Sequence, residues 1–171
     1  MINNKIILVA GTAALSASLL STTATAATVT ATGNANVLTP LSITENTQME
    51  FGDVAGLVAS DSTVNLTTAG GTSSSDGATV FGTGSTDAAG SFTVNGSGNL
   101  AYTISLPADS VVTLTGTGFP MDVDGFIHNA GGSPALAAGT ATFAVGATLT
   151  IPGGQTADAY SGSYDVTVNY Q

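Results

Sequence analysis

The chain of 171 residues has no cysteine and no tryptophan, and its only Lys or Arg, Lys5, stands against eleven carboxylates for a formal net charge of −10. Each shortage excludes something. With so few basic side chains there is no surface to neutralise phosphates, so nucleic acid and anionic membrane are poor partners and phosphate cofactors lose their usual clamps. Without cysteine there is no disulfide scaffold and no thiol chemistry, so stability has to come from packing and backbone pairing. Glu is scarce and Lys nearly absent, while Gly, Thr, Ser, Ala and Val are plentiful, which opposes long helices and favours short strands joined by turns. The class expected is all-β.

The first residues have the three parts of a secretory signal peptide. Met1–Lys5 is polar and positively charged, Ile6–Leu20 is apolar apart from small residues, and Ala24-Thr25-Ala26 is an A-x-A cleavage site. Residues 1–26 are therefore expected to be removed on export, through the periplasm of a bacterium to the cell surface or medium. The apolar run is too short and interrupted to span a bilayer comfortably. The mature chain then begins at Ala27, has no Lys or Arg, and carries about −11 from its side chains at neutral pH, where each carboxylate is ionised. Its length fits one domain with a real core.

Strands are legible from period-two alternation, the pattern of a half-buried strand. At the C-terminus Tyr164, Val166, Val168 and Tyr170 share one face, and Ser163, Asp165, Thr167 and Asn169 the other. A second run places Leu100, Tyr102, Ile104 and Leu106 together, and a third Phe143, Val145, Ala147, Leu149 and Ile151. The third run is roughly 30 Å long at about 3.3 Å per residue, and Gly146 within it marks an expected bulge or bend. Shorter strands are expected at Leu41–Ile43, Met49–Phe51, Val64–Leu66, Phe92–Val94 and Val112–Leu114. Asn95-Gly96-Ser97-Gly98 reads as a hairpin turn between two runs. Stretches 70–77, 82–90 and 129–133 are rich in Gly, Ser, Asn and Asp, as loops at the ends of a sandwich are. About eight short strands with no helical period suggest two antiparallel sheets packed face to face.

Residues 27–38 form a distinctive N-terminal extension. Val29, Ala31, Gly33, Ala35 and Val37 fall on one face, Thr28, Thr30, Thr32, Asn34 and Asn36 on the other, and no charge interrupts the stretch from Ala27 to Thr44. Such a segment suits a strand laid into a neighbouring subunit's groove, with backbone bonds to open sheet edges and alternate side chains in pockets. The same pattern also suits the first strand of the chain's own sandwich.

Catalytic and cofactor signals are poor. A Ser-His-Asp arrangement would need the lone His128 with Ser133 and Asp122 or Asp124, and no Gly-x-Ser-x-Gly elbow is present. Gly82-x-Gly84 and Gly116-x-Gly118 lack the third glycine, the helix and the base of a nucleotide loop. The expectation is a protein that is not an enzyme and holds no cofactor. Asp122, Asp124 and Asn129 are weak candidates for Ca²⁺, hard oxygen ligands without the spacing of an EF-hand loop, and they read equally as solubilising acids.

Pro40-Leu41-Ser42-Ile43-Thr44, Met49-Glu50-Phe51-Gly52 and the terminal run from Tyr160 to Tyr170 together carry a resemblance. The chain resembles a widespread family of small secreted bacterial domains of unknown function, and is similar to the archaic chaperone-usher pilins of the spore-coat-U type. What the resemblance implies is an incomplete immunoglobulin-like β-sandwich spanning residues 39–171. Its groove would be filled first by a periplasmic chaperone, delivered to an outer-membrane usher, and then by the next subunit's N-terminal strand. On that basis Val29, Ala31, Gly33, Ala35 and Val37 would form the donor face, and Tyr164, Val166, Val168 and Tyr170 would lie on the groove-forming C-terminal strand. Two readings follow: a structural subunit that polymerises with identical copies into a pilus, fibre or biofilm filament, or a monomeric secreted module that binds carbohydrate or a surface partner, with or without Ca²⁺.

Overall fold

The computed structural model describes residues 25–74, 76–81 and 86–171. The expected signal peptide lies outside them apart from its last two positions, as does part of the turn-rich stretch 82–90. The chain divides into two units, residues 1–35 and 36–171. In the first, residues 25–35 have no regular secondary structure and all are exposed, Val29 at 90%.

The second unit is all-β, with no helix among the described residues. Its strands are β1 (Ser42–Thr47), β2 (Val54–Ala55), β3 (Ser62–Leu66), β4 (Thr72–Ser74), β5 (Thr79–Val80), β6 (Gly90–Asn95), β7 (Tyr102–Ser105), β8 (Val112–Leu114), β9 (Met121–His128), β10 (Thr140–Ile151) and β11 (Thr167–Tyr170). All pairings are antiparallel, and the sheets pack as a β-sandwich-like fold.

β10 organises the unit. Its alternating run is the strictest in the sequence, and Phe143, Val145, Ala147, Leu149 and Ile151 are all buried, as the period requires. Val145 pairs with Gly90 on one edge and His128 on the other, and Leu149 pairs with Val64 and Val123 in the same way. One edge of β10 is thus shared in succession by β6, with β1 beyond it, and by β3, with β4 beyond; the other edge carries β9 and then β8. The handover falls at Gly146, where a Cβ would overlap the Leu66 carbonyl and come within 2.9 Å of the Thr67 carbonyl carbon. The expected irregularity is therefore present, but the extra residue belongs to β9. The step Gly146 to Thr148 is matched by the longer step Ile127 to Asp124, and Gly125 takes φ 60° there.

Two apolar clusters fill the interior. One joins Val64, Leu66, Val112, Met121, Val123, Leu149 and Ile151 to Phe51. The other joins Phe92, Val94, Phe143 and Val145 to Tyr102 and Leu136, with Ile104 of β7, Val168 and Tyr170 of β11, and Val166 just before β11 packed against it. Each fully buried aliphatic side chain contributes about 1.5–3 kcal/mol.

The structure corrects four expectations. Asn95–Gly98 is not a hairpin turn: both edges of β6 are already taken by β1 and β10, so β7 cannot pair with it and joins β11 instead. Met49–Phe51 forms a single bridge, Glu50 with Ala88, rather than a strand. Leu100 is 37% exposed, outside the buried face that Tyr102 begins. The C-terminal strand is assigned only from Thr167, although Tyr164, Val166, Val168 and Tyr170 keep the expected alternation, half-buried between exposed neighbours.

Candidate functional site

Phe51 is buried, and the chain turns out of the core immediately after it. Gly52, at φ 73°, makes that turn, a conformation that costs glycine nothing. The segment that follows, Asp53–Gly56, is one wall of a cleft of about 490 Å³ whose opposite wall is Gln155–Tyr160. The floor is the hydrophobic core itself: Phe51, Met121, Leu149 and Ile151.

Both walls bond on their outer sides. On the first, Glu50 and Ala88 exchange backbone bonds of 2.8 and 2.9 Å, the Phe81 amide donates to the Asp53 carbonyl at 3.1 Å, and β2 pairs with β5. On the second, Thr115 and Ser161 exchange bonds of 2.9 and 3.1 Å. The Asp158 carboxylate accepts the Thr117 amide at 2.9 Å, and the Tyr160 hydroxyl accepts the Gly118 amide at 3.0 Å while donating to the Thr156 carbonyl at 2.8 Å. Among the described residues no backbone hydrogen bond joins one wall to the other.

Gly116 and Gly118 find their purpose here. A Cβ at Gly116 would come 2.8 Å from the Tyr160 ring, and one at Gly118 would overlap its hydroxyl, so this Gly-x-Gly seats a tyrosine rather than a phosphate. Glu50, Asp53 and Asp158 line the cleft as well. Hydrogen bonds from the Thr117 side chain, then from the Thr117 and Ala159 amides, hold the Asp158 carboxyl below the usual carboxylate range.

The second wall continues into the C-terminal segment, where the sequence placed the groove. Tyr164 rests between Phe92 and Phe126, ring centroids 6.4 and 5.4 Å away, and Gly90 leaves room for its hydroxyl. That hydroxyl is buried with no partner among the described residues. Burial first, and the charge of Glu45 second, push its pKa up to about 12. An acid that ionises later in the folded state than in the unfolded one, whose tyrosine titrates near 10, stabilises the fold fully below that pH. The contribution is lost as pH rises from about 10 to about 12. We expect the midpoint of chemical unfolding to fall over this window. In Tyr164→Phe the fall should be shallower and the neutral-pH stability equal or higher by up to about 1 kcal/mol, because an unpaired buried hydroxyl is removed; an unchanged slope would sink this assignment.

At the far end of the same segment the Tyr170 hydroxyl accepts the Ser97 amide at 2.6 Å and donates to the Thr39 carbonyl at 2.7 Å. Val166 and Val168 complete this face against the second cluster. The four residues expected on the C-terminal strand therefore share one face, and Tyr160 extends it toward the cleft. Of the expected donor face, Val29, Ala31, Gly33, Ala35 and Val37 are exposed and belong to no strand, Val37 at 92%.

The other sequence candidates are not brought together. Asp122 and Asp124 sit on β9, the Asp124 carboxylate accepting the Ser110 amide at 2.6 Å. The Asn129 side-chain Oδ1 accepts the Ala144 amide at 2.8 Å, and His128 Nδ1 accepts the Ala130 amide at 3.3 Å. Among the described residues no three His, Cys, Asp or Glu side chains converge as metal ligands. The cleft itself was not legible in advance. Its signals were Tyr160, which extends the even-numbered alternation backwards, and the glycines opposite it.

Residues 41–170, the whole of this framework from the start of β1 to the end of β11, match a family model described as Domain of unknown function (DUF4402). The chain belongs to this family. Both walls of the cleft fall inside the DUF4402 domain, and residues 27–38 precede it. No curated protein and no solved structure matches the chain.

Proposed function

We propose that the chain is a structural subunit of a bacterial surface pilus or fibre, and that it polymerises when residues 27–38 of one copy lie in the cleft of the next. The observation that carries this reading is the cleft: an apolar floor between two walls that bond to other segments and are joined to each other only at the Leu57–Gly154 end among the described residues. The arm supplies what such a space takes. It is exposed, belongs to no strand, alternates with period two and bears no charge. In this reading Val29, Ala31, Gly33, Ala35 and Val37 face the floor, Tyr164, Val166, Val168 and Tyr170 line the C-terminal side, and the sandwich is completed by the donated strand. The similarity to chaperone-usher pilins extends the proposal to a periplasmic chaperone that holds the cleft before assembly and an usher that passes the subunit outward. No helix among the described residues is long and apolar enough to cross a membrane. The work is strand donation rather than turnover.

The test is electrophoretic. The chain from Ala27, run unboiled in SDS, should give a ladder of oligomers that collapses to monomer on boiling. Copies that each carry about −11 repel one another at neutral pH, so raising salt to about 0.1 M, where the screening length is about 10 Å, should leave the ladder unchanged or longer. A chain that stays monomeric throughout favours the monomeric binding module, and a ladder dissolved by moderate salt contradicts assembly through apolar contacts and backbone bonds.

A further inference from the structure

Loops gather at two poles, set by the ends of β10. Twelve residues at about 3.3 Å separate those ends by roughly 40 Å. At the Thr140 end lie residues 36–41, 96–101 and 129–139, joined by bonds such as Gly96 amide to Gly139 carbonyl at 2.8 Å and Leu136 amide to Leu100 carbonyl at 2.9 Å. These three loops contain no Asp or Glu. At the Ile151 end lie residues 52–61, 76–81, 115–120 and 152–160, and they hold Asp53, Asp61, Asp76 and Asp158. The domain is therefore polar in charge along its length.

The acidic pole is also the one with exposed large apolar side chains around the cleft. Phe81 lines the cleft and is 49% exposed. Phe119 is 61% exposed and is fixed to the opposite wall by two bonds with Gln155, its amide donating at 2.9 Å and its carbonyl accepting at 2.6 Å. Val58, 89% exposed, follows Leu57, whose carbonyl accepts the Gly154 amide at 3.0 Å.

Resting on the strand-donation reading, we propose that this pole is the seat of the next copy's body: Val58, Phe81 and Phe119 receive the carboxylate-free pole of the copy that donates its arm. Two observations select this occupant. β1 starts at Ser42, so after Val37 has docked only Leu38 to Leu41 remain, a tether of at most about 14 Å. The donating body must then abut the pole from which its arm leaves. The pole it presents is the one where its own arm joins, residues 36–41 with their neighbours 96–101 and 129–139, and that pole brings no like charge against Asp53, Asp61, Asp76 and Asp158. Two acidic poles facing each other would repel. Strand donation toward the Thr140 end would leave the exposed aromatics uncovered, so the donated strand runs toward the Ile151 end, antiparallel to the C-terminal segment beside it.

A photo-reactive phenylalanine analogue at position 119, in the full chain from Ala27, tests this. Illumination of assembled material should give a dimer band whose cross-linked peptides join position 119 to residues 96–101 or 129–139 of another copy. In the variant Val58→Asp, outside the cleft lining, the cross-linked band should be weakened several-fold while the arm-dependent ladder still forms. A ladder with no such cross-link, or one linking position 119 to the acidic pole of another copy, overturns the interface and leaves strand donation standing. Failure to form any arm-dependent ladder overturns both.

Discussion

Removal of residues 27–37 should abolish the oligomer ladder and leave a folded monomer. None of these residues belongs to either core cluster, and the family-matched domain begins only at residue 41. Unfolding stability of the truncated domain should therefore stay within about 0.5 kcal/mol of the full monomer, as for changes that touch no packed feature. Assembly should fall to nothing, because every copy loses its donor while its cleft stays intact. The separate peptide of residues 27–38 should then bind the truncated domain, and the same peptide with Val29 and Val37 changed to Asp should not, since each buried carboxylate would lack a partner. Oligomers of the truncated chain that resist SDS as well as those of the full chain would defeat the proposed mechanism.

Gly146→Ala should be strongly destabilising. The atoms in its way are the Leu66 carbonyl oxygen and the backbone of Thr67 and Thr68, which cannot rotate aside as a side chain would. Overpacking of this kind costs about 1–3 kcal/mol, occasionally more, and a backbone obstacle places Gly146 at the upper end. At about 2–4 °C per kcal/mol for a domain of this size, the thermal midpoint should drop by roughly 10 °C. Loss should extend beyond β3, because the same position separates the part of β10 that pairs with β6 from the part that pairs with β3. A midpoint within about 2 °C of the parent, by circular dichroism, would show that β10 and the segment after β3 can part without cost.

How much of this was legible depended on whether a strand obeys one period throughout. β10 and the C-terminal alternation did, and Phe143 to Ile151 and Tyr164 to Tyr170 could be assigned to faces from sequence. β9 did not. Met121 and Val123 point inward, the extra residue at Gly125 shifts the phase, and Ile127 ends half-exposed, so no strand was expected there and Asp122 and Asp124 read as solubilising acids or cation ligands. In the Asn95–Gly98 stretch the turn falls at Gly98, φ 54°, and joins no hairpin, because strands more than forty residues away had already occupied β6. The cleft was hidden for a related reason. Whether a segment is an open edge depends on where its partners lie, and those of Glu50 and Ser161 are at Ala88 and Thr115, outside any local window.

The Tyr170 bonds have a mechanical meaning. In a filament under tension, force passing along the N-terminal segment would reach the body at Thr39, whose carbonyl the Tyr170 hydroxyl holds and whose amide donates to the Ser97 hydroxyl at 2.6 Å. In the proposed filament the load would pass from there into β1, whose antiparallel ladder with β6 would resist it. The penultimate residue of the chain thus fastens the place where a pull would arrive, and the domain's two ends share the strain.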